Sequence, residues 1–258
     1  MGYSNNSADW ENAAILTAYN EIKISIPSLK ADSLSVVKAV IKHRNYWKPP
    51  QVKTLLLGES HVYTSDEEQS NILQYPNYED FGGLPQEFVK LVYCLGYGEQ
   101  TLAPLVSDNA GTWQYWKIFA ACASDSPEID FHPYLKGGYQ STDQRLLNKL
   151  NLLKKLAAKG IWLVDSSIVA LYGNGPKPKM EIRQKAISIS WHNYISQLVE
   201  IACPKRVALI GNSVTETLEL KLDAMGIPFE KLPQPQKRMS ADEIEETHLK
   251  YQRICNRE

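Results

Sequence analysis

The residues best placed for chemistry follow a short apolar run. Val52-Lys-Thr-Leu-Leu-Leu-Gly58 reads as a buried strand ending at glycine, and Glu59, Ser60, His61, Val62 and Tyr63 come directly after it. In open α/β sheets, functional groups collect just past such strand ends. A carboxylate there, Glu59, can stabilise a developing cation and orient a water, as carboxylates do in glycoside hydrolysis. It can equally be a solvated loop acid or a helix cap. His61 is open to two active roles, proton donor or phosphate contact, and to the plain one of a hydrogen-bonded loop histidine. Ser60 can only assist, and Tyr63 can wall a pocket. A second buried run, Ile161-Trp-Leu-Val-Asp165, also ends in an acid. A third, Arg206-Val-Ala-Leu-Ile-Gly211, leads to Asn212 and Ser213, whose backbone N–H groups would open a helix and can meet phosphate.

Positioning these strand ends is the task of the intervening elements. Apolar spacing predicts helices over Asp9–Ile24, Ser33–His43, Leu84–Leu95, Trp113–Ala123, Asp143–Lys159, Ile187–Ile201 and Val214–Met225, with Asp32 or Ser33 capping the second. Gly160 is expected to cap the long helix. Phe229–Leu232 reads as a fourth short strand, followed by the loop Pro233-Gln-Pro-Gln-Lys-Arg238 and a polar C-terminal helix. Strands alternating with helices imply a parallel sheet covered on both faces. The expected fold is α/β, a three-layer αβα arrangement around a central, mostly parallel, four-stranded sheet. After Pro49-Pro50 the main domain spans 49–258, with 1–48 a helical appendage packed on it.

Composition narrows the class. Of 258 residues 43% are hydrophobic and 22% charged, the balance of a folded globular chain rather than a disordered one. No apolar stretch is long enough to span a bilayer and the polar N-terminus lacks the pattern of a secretory signal, so a cytoplasmic chain with no membrane partner is expected, working as a monomer. Cys94, Cys122, Cys203 and Cys255 are scattered without a C-x-x-C pair, which argues against a disulfide framework, a simple zinc site or an iron–sulfur cluster. A net charge of −1 means that any affinity for phosphate must come from local patches.

Taken in order, the strand-end segments resemble the uracil-DNA glycosylase superfamily. Gly58-Glu59-Ser60-His61-Val62-Tyr63 is similar to the loop that carries the water-binding or charge-stabilising residue. Gly160-Ile161-Trp162-Leu163-Val164-Asp165 is similar to the strand whose last residue reads the base. Gly211 and Leu232-Pro233-Gln234-Pro235 fall where the family has a strand end and its DNA-pinching loop. The order holds over roughly Lys53 to Met239, although each motif is short. The resemblance implies a DNA glycosylase that flips a base and hydrolyses its bond to the sugar, with DNA as partner and no metal or organic cofactor.

Departures from the pattern shape the expectation. Asp165 stands where uracil-excising members have Asn. A carboxylate accepts from the amino group of a cytosine-type base; protonated, it can also donate to N3, and if N3 carries the proton an ionised Asp165 accepts twice. Because removal of plain cytosine would destroy the host genome, the expected target is a modified cytosine, such as a hydroxymethyl- or glucosylated base of phage DNA, in a defence role. Asp165 can alternatively cap the turn through Ser166 or Ser167. Phe81 lies where relatives stack an aromatic on the flipped base, though core packing is the commoner fate of Phe. Leu232 replaces the family's His, which puts ordinary uracil chemistry in doubt. Gln234, Gln236, Lys237 and Arg238 can contact DNA, with Met239 as a wedge, and Lys177 and Lys179 can touch phosphates. Trp113, Tyr115, Trp116 and Phe119 read first as core. Two other functions stay open, an atypical uracil glycosylase of base excision repair and a catalytically inactive nucleic-acid-binding module.

Overall fold

A computed structural model describes residues 6–76, 81–106, 111–138, 140–235 and 238–257. The centre is a four-stranded, all-parallel sheet of β1 (Thr54–Gly58), β2 (Ile161–Asp165), β3 (Arg206–Ile210) and β4 (Phe229–Leu232), in the order β2-β1-β3-β4. Strand β1 is buried along its whole length, as its unbroken apolar run requires of a central strand with both faces covered. The register sets Gly58 beside Asp165 and Leu57 beside Leu209, so the carboxyl ends of β1, β2 and β3 finish nearly level.

The helices are α1 (Asn6–Ser25), α2 (Leu34–Tyr46), α3 (Asp66–Gln69), α4 (Trp113–Ala123), α5 (Thr142–Lys159), α6 (Met180–Ser190), α7 (Ser196–Ala202), α8 (Asn212–Ala224) and α9 (Ala241–Asn256), with a π-helical turn, Trp191–Ile195, joining α6 to α7. They pack as two groups. Helix α4 lies against α5 and α9, while α6 lies against α1 and α8. Side chains alternate along a strand, so Leu163 and Asp165 share the face that Gly58 turns toward Tyr115 of α4, and Trp162 points away toward Arg44 of α2. The arrangement is compatible with three layers, αβα. Local signals set the helix ends. Ser33, Ser141 and Ser240 accept the N–H groups of Val36, Gln144 and Glu243, and Gly160 closes α5 at φ 77°, a left-handed value open to glycine.

Two features depart from the expected elements. Residues 84–95 form no helix. Gly82-Gly83 precede the segment, Pro85 is its second residue, and its backbone is spent on neighbours: Phe88 N–H donates to Asn71 O at 3.1 Å, Lys90 N–H to Thr64 Oγ1 at 2.9 Å, and Lys90 O accepts from Val62. The segment is apolar because it is a buried loop. Helix α6 starts at Met180, directly after the glycine-, proline- and lysine-rich residues 173–179, seven residues before the expected Ile187. The N-terminal helices, expected as an appendage, share one contiguous buried cluster with the sheet through Ile15, Ile22, Val37 and Val40. Strand β2 lies at the sheet edge, where Leu163 N–H donates to the Tyr93 hydroxyl at 2.8 Å and the Trp162 indole donates to Arg44 O at 3.1 Å. Among the described residues no helix is long and apolar enough to cross a membrane, and all four cysteines are free.

Candidate active site

Strand order alone locates a crevice. The chain runs from β1 outward to β2 on one side, then crosses to β3 and β4 on the other, so the order reverses between β1 and β3. Ligands of open α/β sheets bind outside the carboxyl ends at such a reversal. Here Glu59 follows β1, Ser213 follows β3, and the Ser213 hydroxyl donates to Glu59 Oε1 across the gap. On the β2 side, Ser166 N–H donates to Gly58 O at 2.8 Å and Ser167 N–H to Glu59 O at 3.0 Å, which ties the two strand-end loops together.

Glu59 is held from several directions. Arg183 Nη1 donates to Oε1 at 2.6 Å and to the Tyr172 hydroxyl at 3.0 Å, and that hydroxyl donates to Oε2. Burial, and then the Glu59 carboxylate, push the Tyr172 phenol above its ordinary value, so it remains a donor. The Arg183 Nε is buried without a partner among the described residues.

His61 is enclosed between two acids. Its Nε2 lies 2.7 Å from Asp32 Oδ2 and its Nδ1 3.5 Å from Asp165 Oδ2, the second an ion-pair separation rather than a formed hydrogen bond. Burial alone would lower the imidazole pKa. The Asp32 and Asp165 carboxylates outweigh it and raise the value to about 10, so the ring is an imidazolium at neutral pH. Asp32 also accepts Ala170 N–H at 3.1 Å, which fixes the loop after β2. His61 thus acts as a buried counter-ion behind Asp165.

Glu59 and Asp165 both border a cavity of about 260 Å³, whose wall also includes Tyr115, Trp113, Tyr172, Lys90 and Gln234. That volume is near the lower limit of small-molecule sites and suits one ring system. Tyr115 lies over the end of β1, where a Cβ on Gly58 would stand 2.9 Å from its hydroxyl. Among the described residues no group of three or more His, Cys, Asp or Glu side chains is set to hold a metal ion.

The structure brings Glu59, His61, Asp165, Ser60 and Gln234 to this cavity. Ser60 is there chiefly as a brace, since its hydroxyl donates to His61 O at 2.9 Å and accepts Leu171 N–H at 3.1 Å. Gln234 donates to Gln114 Oε1 at 3.0 Å. Two expected placements are corrected. Phe81 is buried and stacks on Tyr75 with ring centres 5.9 Å apart, away from the cavity. Tyr63 stays outside the cavity wall because Val62 pairs with Tyr172, leaving Tyr172 rather than Tyr63 at the lining. Ser213 is buried and its hydroxyl serves Glu59, a role separate from the backbone N–H groups expected to meet phosphate. Asn212 and Arg238 are exposed, Leu232 is buried in β4, and Gln236 and Lys237 lie outside the described residues. Trp116 and Phe119 are core, whereas Trp113 and Tyr115 face the cavity. Sequence reasoning missed Asp32, Tyr172 and Arg183. The one available signal was Arg183 next to Ile182 on the apolar side of a helix that follows Pro178.

Fold and site together define a parallel α/β protein with a carboxylate-bearing cavity at the carboxyl ends of β1 and β2, beside its strand-order reversal. No family model, curated protein or solved structure matches the chain.

Proposed function

We propose that this protein is a DNA glycosylase that draws an extruded base into the cavity and hydrolyses its bond to deoxyribose, with a modified cytosine as the base. The observation that carries the reading is the pair of carboxylates, Glu59 and Asp165, at the level ends of adjacent strands on one ring-sized cavity. Asp165, with an imidazolium behind it, accepts hydrogen bonds from the amino edge of a cytosine-type ring. Tyr115 and Trp113 offer aromatic surface to the extruded base. Glu59 faces the sugar and offsets the positive charge that builds on it as the bond breaks; water then adds to the sugar and the base leaves with a proton.

The test is base release from defined DNA carrying uracil, cytosine, hydroxymethylcytosine or glucosylated cytosine, scored as abasic sites by alkaline cleavage. Release confined to a modified cytosine is the expected result. Release of uracil alone would overturn the assignment of Asp165, and equal release of plain cytosine would overturn the modified target. Glu59→Gln is expected to lower turnover by on the order of a hundredfold or more.

A second reading, a nucleic-acid-binding module without turnover, draws on one specific observation. Both Glu59 oxygens are already taken, by Arg183 and Ser213 on one side and Tyr172 on the other. Retention of all measurable function by Glu59→Gln would favour it.

A further inference from the structure

Beside the base cavity lies a second one of about 330 Å³, and the two share Tyr97, Gly111, Thr112 and Trp113 as a common wall. Three lysines, Lys117, Lys136 and Lys149, line this second cavity, together with Trp116 and Tyr134; among the described residues lining it none is acidic.

Lys149 is buried and donates to Glu99 Oε1 at 2.6 Å, but Arg145 grips the same carboxylate at 2.8 and 2.7 Å. Among the described residues two cations thus face one anion there. Lys117 rests over the rings of Trp113 and Phe131, 5.1 and 5.3 Å from their centres, so aromatic faces hold it, and no carboxylate among the described residues pairs with it. At the shared wall the Thr112 hydroxyl is buried without a hydrogen-bond partner among the described residues. Trp113 is 42% exposed, an open surface at the boundary of the two cavities. The local field also reaches beyond the cavity: after burial, Lys117 is the next cause of the lowered pKa of His248.

Three lysines with no acid among the described lining residues, a spare hydroxyl and an exposed indole describe a place for a phosphate with a base beside it. We infer that the second cavity takes a backbone phosphate of the strand whose target base occupies the first, so that the substrate is a polynucleotide and not a free nucleoside or nucleotide. This rests on the base-excision reading and adds the substrate's backbone to it. It gives a chain of net charge −1 a local basic patch at which a strand can be held.

The test measures binding of a labelled deoxyoligonucleotide of plain sequence across a salt series, with inorganic phosphate as a separate ligand. The proteins are wild type, the double variant Lys117→Gln with Lys136→Gln, and Lys205→Gln, which alters an exposed lysine at the opposite end of the sheet. The double variant is expected to bind about tenfold more weakly at low salt. On a single strand, the slope of log affinity against log salt should shrink by about 0.7 for each phosphate that the variant no longer neutralises. Lys205→Gln should leave both unchanged, and thermal melting should show all three folded. Unchanged affinity and slope in the double variant would overturn the subsite, even if modified DNA still releases its base. Inorganic phosphate binding as tightly as the oligonucleotide would overturn the strand as occupant. Weaker strand affinity in the double variant, with no base released from any DNA, would uphold the subsite and overturn the excision reading instead.

Discussion

At the scale of single residues the controlling group is His61. Enclosed by Asp32 and Asp165, its ring is expected to carry both protons well above neutrality, and nitrogen-15 NMR of the imidazole at pH 8 should show the imidazolium, given a pKa of about 10. Asp32→Asn removes the nearer partner and strands a buried charge. The titration should then move down toward the ordinary histidine range, and stability at neutral pH should fall by about 3–5 kcal/mol, read from denaturant unfolding. Glu59 and Asp165 were legible in the sequence because each follows an unbroken apolar run. Their partners were not. Asp32 lies 29 positions from His61, and Tyr172 and Arg183 lie 113 and 124 positions from Glu59, separations that no local pattern spans. Phe81 and Tyr63 were misplaced for a related reason: aromatic side chains suit either a site or its surroundings, and only packing decides between them.

At the scale of elements, strand ends do the positioning. Gly58 closes β1 because the Tyr115 hydroxyl of α4 needs the space a side chain would fill. Gly58→Ala should therefore push that hydroxyl toward the cavity, at a steric cost of about 1–3 kcal/mol, and weaken binding of the target oligonucleotide. Adding Tyr115→Phe removes the clashing atom and should restore much of both, an outcome a simple loss of fold would not give. The strands and most helices were readable from apolar spacing, since buried parallel strands and amphipathic helices write distinct periods. The segment 84–95 failed that reading because a largely buried loop is as apolar as a helix. Its hydrogen bonds run to residues 62, 64 and 71, where periodicity gives no warning.

At the scale of the whole molecule, stability should peak near pH 6.5. His61 has a raised pKa, so its contribution is complete below the unfolded value of 6.5 and is lost as pH climbs through about 10. His43 and His248 behave oppositely. Burial lowers both to about 4, so their contribution is complete above 6.5 and fades as pH falls through the interval down to 4. Glu99, held low by Arg145 and Lys149 despite burial, adds to the acid-side loss. Thermal melting between pH 4 and 10 should trace this dome, and a profile still rising at pH 9 would contradict it. The molecule also has an edge to defend. The free rim of β2 is where another chain would add a strand of its own. The N–H at its midpoint is already committed to the buried Tyr93 hydroxyl, and α2 seals the neighbouring Trp162. Recruitment of a foreign strand on this side would first have to expel a tyrosine from the core, a built-in guard against runaway sheet growth.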